Sequence, residues 1–169
     1  MTRRPVLSAV VATIALAATA LLATASPAGA APGDPVTFTV DATEAHPGDT
    51  VTVTATFADP DATDVAFSYL SISPNFVTWN AGTKYSFTSC TGQITWCSYL
   101  PINNAGVAVQ LQAPIPAGQS RTATFTYDIA ADSPCGPTQV ASFFFYTYRE
   151  TSAGGTERVV QGPVTNVVC

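Results

Sequence analysis

A period of two in the placement of apolar residues is what most narrows the folds open to this chain. In residues 35–42, PVTFTVDA, and 49–57, DTVTVTATF, every second position is apolar: Val36, Phe38 and Val40, then Val51, Val53, Ala55 and Phe57. The positions between are mostly threonine. Side chains of an extended strand alternate between two faces, so this spacing gives one face to a core and the other to water or a neighbouring strand. β-Branched residues on both faces reinforce the extended backbone. Phe57 closes the predicted core face of the second strand. Further strands are expected at 65–72, 84–89, 94–100, 106–113, 120–130, 139–150 and 157–168, each bounded by proline or glycine punctuation. Residues 84–89 and 94–100 read as neighbours joined by a turn at Thr91-Gly92. Beyond residue 30 no window carries apolar residues at spacings of three and four, so no helix is expected there. A β-sandwich follows more readily than an open sheet, with a barrel left open as the alternative.

The N-terminal segment has a different character. MTRR is a short basic head, residues 6–25 are almost all Ala, Val, Leu and Ile, and Ala28-Gly29-Ala30 offers small residues for cleavage. This predicts a secretory signal peptide over residues 1–30 and a single β-sandwich domain over 31–169. The apolar run is long enough to span a bilayer, which takes about 20 residues. Its alanine content and the Ser26, Pro27, Gly29 and Pro32 that follow argue for cleavage instead. Arg3-Arg4 leaves open whether export is general or twin-arginine. Without those two arginines, Lys84, Arg121, Arg149 and Arg158 face eleven Asp and Glu. Such a surface repels nucleic acid and anionic lipid. No second apolar segment suggests membrane insertion after signal removal, so a secreted, extracellular protein is expected.

Secretion decides how the cysteines are read. Cys90, Cys97, Cys135 and Cys169 are an even set in an oxidising compartment, which points to two disulfides. Three pairings are possible. The turn Thr91-Gly92-Gln93 favours Cys90 with Cys97, and Cys135 with Cys169 then ties down the last residue. The spacing is not the C-x-x-C of thiol oxidoreductases, and zinc would want further closely spaced Cys or His, whereas His46 stands alone in the turn EAHPGD.

Three stretches taken in order, HPGDTVTVTATFAD, SFTSCTGQITWCSYL and IPAGQSRTATFTYDIA, resemble an immunoglobulin-like domain, itself of undefined function, that recurs in bacterial surface and secreted proteins. In that family a Gly-Asp turn opens a Thr/Val strand, a cysteine pair flanks a short turn, and a second small-residue turn precedes another Thr/Val strand. Gly48-Asp49, Cys90 with Cys97, and Ala117-Gly118-Gln119 occupy those places, over roughly residues 34–130. The resemblance implies a structural or adhesive module without catalytic residues. The expected fold class is therefore all-β, an immunoglobulin-like β-sandwich of about 8–9 strands.

The chemistry legible in the chain agrees with a non-enzyme. A Ser-His-Asp arrangement needs a histidine as base, and His46 sits in a surface turn with no G-x-S-x-G in the chain. Glu44, Glu150 and Glu157 form no recognisable carboxylate pair. No cofactor is expected, although Asp59, Asp61 and Asp64 in DPDATD could supply oxygens to calcium. The alternative reading of the same aspartates is a plain loop that ends a strand. Candidate binding residues are aromatic. Phe144, Tyr146 and Tyr148 fall on one side of the strand 139–150, taken as outward, with Ala141, Phe143 and Phe145 on the other. Trp79, Trp96 and Tyr99 could add a platform. Function is therefore expected to be non-catalytic: a structural or adhesive role at the cell surface towards a protein or glycan partner, or else carbohydrate binding on an aromatic platform.

Overall fold

The computed structural model describes residues 34–100, 105–149 and 155–169; the predicted signal peptide lies outside them. The alternating segments become strands β1 (Val36–Val40), β3 (Thr50–Ala58), β4 (Val65–Pro74), β5 (Tyr85–Gly92), β6 (Ile94–Tyr99), β7 (Val107–Leu111), β8 (Ser120–Ile129), β9 (Gly136–Arg149) and β10 (Gly155–Val167). A two-residue strand, β2 (Glu44–Ala45), runs parallel to the end of β10. The strands form two layers, a four-stranded sheet in the order β1-β3-β8-β5 and a six-stranded sheet in the order β2-β10-β9-β4-β7-β6. The all-β sandwich is as expected.

The core lies between the layers. Val51, Val53, Ala55 and Phe57 of β3 are all buried, and Phe57 meets Phe145 of the opposite sheet at a ring-centroid distance of 5.6 Å. Phe38, Phe87 and Phe125 join them from the four-stranded sheet, facing Leu70, Ile72, Val109 and Leu111. The threonines of β3 stay on the outside, where Thr52, Thr54 and Thr56 lie directly across from Thr126, Thr124 and Thr122 of β8.

Four features depart from the sequence reading. A helix, α1 (Phe76–Ala81), follows β4. Only Thr78 of its residues is buried, so it has no apolar stripe to reveal it; its local signals are Asn75, whose side chain accepts from Thr78 N–H, and Gly82, in the left-handed conformation that ends a helix. Second, β5 and β6 are not a hairpin, for β5 pairs with β8 and β6 with β7 in the other sheet. The chain changes sheets at Gln93, whose N–H donates to Thr122 O and whose carbonyl accepts from Gln112 N–H. Gly92 makes this crossing possible, since it has φ 113° and a Cβ there would fall 2.5 Å from Thr122 O. Third, β2 is too short to carry any periodic pattern.

The fourth departure is a bulge in β9. Ser71 pairs with Phe144 but Ile72 with Ser142, which leaves Phe143 as an extra residue. The extra residue reverses the parity of the strand. Val140 and Phe145, on opposite faces by strict alternation, both enter the core. Phe143 is half-buried and, instead of joining Phe145, lies near Phe76 and Trp79 of α1.

At the β5 end of the core, Tyr85 packs on Tyr127 at 5.0 Å and on Phe87 at 5.8 Å. Burial pushes the Tyr127 hydroxyl up to about 12 and, with the neighbouring Tyr127, lifts that of Tyr85 well above the ordinary tyrosine range. Above about pH 10, where tyrosines of the unfolded chain lose their protons, the folded state still holds these two, so alkali favours unfolding. Their contribution is whole below that pH and is lost as pH rises towards the folded values. Urea titrations at about pH 9 and about pH 11 should show a fall in stability, and one that is smaller in the Tyr85→Phe variant. An equal fall in both proteins would place the alkaline sensitivity elsewhere.

Candidate functional site

The outer face of the six-stranded sheet carries a cluster of aromatic side chains. Residues directly opposite one another on paired strands share a face. The register therefore sets Trp96 of β6, Gln110 of β7, Tyr69 of β4, Tyr146 of β9 and Glu157 of β10 in one row across the sheet. Phe67 of β4 and Tyr148 of β9 form a second row. The rings make contact: Tyr69 and Trp96 lie 6.4 Å apart with planes 23° from parallel, and Phe67 and Tyr148 lie 5.3 Å apart at 11°. Tyr146 joins both Phe67 and Tyr148 at about 6 Å. Gly155 sits across from Tyr148, and a side chain there would strike the Tyr146 ring.

Alternation explains why β4 faces outward with rings at Phe67 and Tyr69, since Ser68 and Leu70 between and beside them are buried. These two aromatic residues were not among the candidates from sequence. They read as ordinary strand residues, and only the pairing of β4 with β9 and β7 brings them beside Tyr146, Tyr148 and Trp96. Trp96 is 47% and Tyr148 38% exposed, while Phe67, Tyr69 and Tyr146 are half-buried. The backbone of Phe144 pairs with Ser71; its side chain lies outside what the structure describes. Trp79 does not join this group, since it belongs to α1 and lines a cleft beside β5. Tyr99 is partly exposed at the end of β6, across from Val107.

The aspartates of DPDATD take separate roles. The Arg149 guanidinium donates to Asp59 Oδ1 at 2.9 Å, to Thr63 O at 2.6 Å and also to Asp61 Oδ2. Asp64 instead accepts from Ala117 N–H at 3.0 Å. The Arg149 guanidinium from the end of β9 thus pairs with Asp59 and Asp61 together, while Asp64 is engaged separately. Among the described residues no group of three or more His, Cys, Asp or Glu is arranged to hold a metal ion. His46 lies in an exposed turn closed by its own N–H donating to Asp49 Oδ2 at 2.7 Å.

The cysteines pair as Cys90–Cys97 and Cys135–Cys169, with Cα atoms 6.6 and 5.8 Å apart. Because β5 and β6 belong to different sheets, the first bridge ties one layer to the other across the crossing at Gln93. The second joins the start of β9 to the end of β10, next to the pair Gly136 and Val167.

No family model matches the chain, nor does any curated protein. Solved structures do match. The sixth cohesin of scaffoldin B from Acetivibrio cellulolyticus, in complex with a dockerin, is similar with a TM-score of 0.54 at 12% identity, over 76% of this chain and 96% of that one. A chain of a type I cohesin–dockerin complex from Clostridium thermocellum gives 0.55 at 14% identity, over 80% and 100%. A Corynebacterium diphtheriae protein described as membrane anchored gives 0.52 at 12% identity, over 83% of this chain and 37% of its own. At such identities the likeness is one of fold alone.

Proposed function

We propose that this protein is an extracellular, non-catalytic binding module that holds a protein partner on the outer face of its six-stranded sheet. The observation that carries the reading is a set of five neighbouring rings drawn from three strands, with Phe67, Tyr146 and Tyr148 in one contact group and Tyr69 with Trp96 in another, the two groups adjoining where Tyr69 lies across from Tyr146. Aromatic residues combine large apolar area with few rotatable bonds, and for that reason they dominate the energetics of protein interfaces. Phe67 lies nearly parallel to Tyr148, and Tyr69 to Trp96, so ring surface is shared within the cluster. Edges and tyrosine hydroxyls are left for a partner, which suits a protein surface better than the open ring faces that a sugar would need. The fold lends support by analogy, as the similar cohesins were captured with dockerins. Two disulfides and the signal-like first thirty residues support an extracellular setting.

The test compares the wild type with a Trp96→Ser, Tyr148→Ser double variant, both immobilised and exposed to surface proteins released from bacterial cells. The wild type is expected to retain a discrete protein that the variant binds about tenfold more weakly or worse, with the same circular dichroism from both. Retention that is equal in the two proteins, or absent from both, would overturn the reading. Retention of polysaccharide in its place, lost in the same variant, would reassign the face to glycan.

A further inference from the structure

Beyond the aromatic face, the structure holds a cleft of about 570 Å³ between α1 and the start of β5, with walls that include Trp79, Thr83, Lys84, Tyr85 and Asp128. We propose that this cleft binds a neutral oligosaccharide, with the Trp79 indole as the stacking surface.

The first support is the way Trp79 is held. Its side chain is 71% exposed, yet the short helix beneath it is firmly anchored. Thr78 Oγ1 donates to Gln139 O at 3.0 Å, Asn75 Nδ2 donates to Gln161 Oε1 at 3.1 Å, and Gly82 N–H closes on Trp79 O at 3.1 Å. A large apolar ring kept in water on a fixed support offers a flat surface with little ordering left to lose on binding. The second support is the polar company. Lys84, Asp128, Thr83 and Ser86 line the same cleft. Tyr85, also in its wall, has a hydroxyl that is buried with no protein hydrogen-bond partner. A sugar presents C–H groups on its face and hydroxyls around its rim, and an indole bordered by short polar side chains is complementary to both. The volume falls within the range of small-ligand sites, about 300–1,000 Å³.

Charge narrows the ligand class. Lys84 Nζ is held by Asp132 Oδ2 at 2.5 Å, and Asp128 Oδ1 accepts from Thr50 Oγ1 at 2.7 Å. The lysine is neutralised and Asp128 adds negative charge, so an acidic glycan gains no counter-charge here. A neutral one gives up little.

The chain has two tryptophans, Trp79 and Trp96, so Trp96→Phe makes Trp79 the sole indole reporter. Titrating that variant with hexasaccharides of β-1,4-linked glucose, N-acetylglucosamine and mannose should give saturable fluorescence changes with at least one of them at millimolar or lower concentration. By calorimetry on the wild-type background, Trp79→Ala should weaken the same sugar about tenfold or more and Asp128→Ala about fivefold. Trp96→Ser with Tyr148→Ser should leave it unchanged, which separates this site from the protein-binding face. The proposal is overturned if none of the three sugars perturbs Trp79, or if Trp79→Ala binds as the wild type does while its circular dichroism is the same.

Discussion

Replacing Phe57 by alanine is expected to lower the unfolding free energy by about 3–5 kcal/mol, the range for truncating a buried phenylalanine. The side chain is 2% exposed, at the seam where the two sheets meet. It lies against Phe145 at 5.6 Å, and among the other core residues are Val36, which pairs with it from β1, and Val65 at the start of β4. Neighbours drawn from both layers cannot collapse into the space without moving one sheet towards the other. The cavity term therefore adds to the lost transfer energy. Thr56→Ala, one residue away on the outer face, removes only a hydroxyl 3.4 Å from that of Thr122 and should cost well under half as much. Urea unfolding of the three proteins measures both numbers. A loss below about 1 kcal/mol for Phe57→Ala would mean that the seam is looser than its burial indicates.

The second large effect concerns the bridge Cys135–Cys169. In the chain-entropy account a cross-link stabilises by restricting the unfolded chain, and the benefit grows with the loop that it closes. Cys135–Cys169 spans 34 residues and Cys90–Cys97 only 7. The expected contributions are about 4 and about 2 kcal/mol. Removing the longer bridge should also loosen the end of β10, where Asn166 and Val167 pair with Pro137 and Gly136 on one side and with Glu44 and Ala45 on the other. Unfolding of the paired alanine variants, Cys135→Ala with Cys169→Ala and Cys90→Ala with Cys97→Ala, tests the ranking. Hydrogen exchange should find the amides of Asn166 and Val168 faster in the first variant, since these donate to Thr43 and Ala45. If the shorter bridge proved worth more, the tie that it makes between the sheets at Gln93 would outweigh loop length.

The alternation in β1, β3 and β8 was legible residue by residue, down to the burial of Val36, Phe38, Val51, Val53 and Phe57, because which face a side chain takes in a strand is a local steric matter. The cysteine pairing could be reasoned to for a related cause, as seven residues with a glycine in the turn bring two chains close whatever lies around them. Yet the same stretch misled about its own strands, since which sheet β5 and β6 enter depends on partners in β8 and β7 lying tens of residues away. The bulge at Phe143 is of this kind too. β9 is flanked by β4 and β10, and the one extra residue that carries both Val140 and Phe145 into the core leaves no mark in a segment that is apolar on either side. Tertiary structure alone gathered Phe67, Tyr69 and Trp96 beside Tyr146 and Tyr148, sent Trp79 to a cleft of its own, and set Arg149 among the aspartates of DPDATD. What the sequence by itself determined was the backbone state of the alternating segments and, where no bulge intervenes, the side of each that shuns water, which neighbouring residues settle among themselves. Which segments lie together, and hence every candidate surface on this protein, was decided by packing and hydrogen bonding between residues distant in the chain.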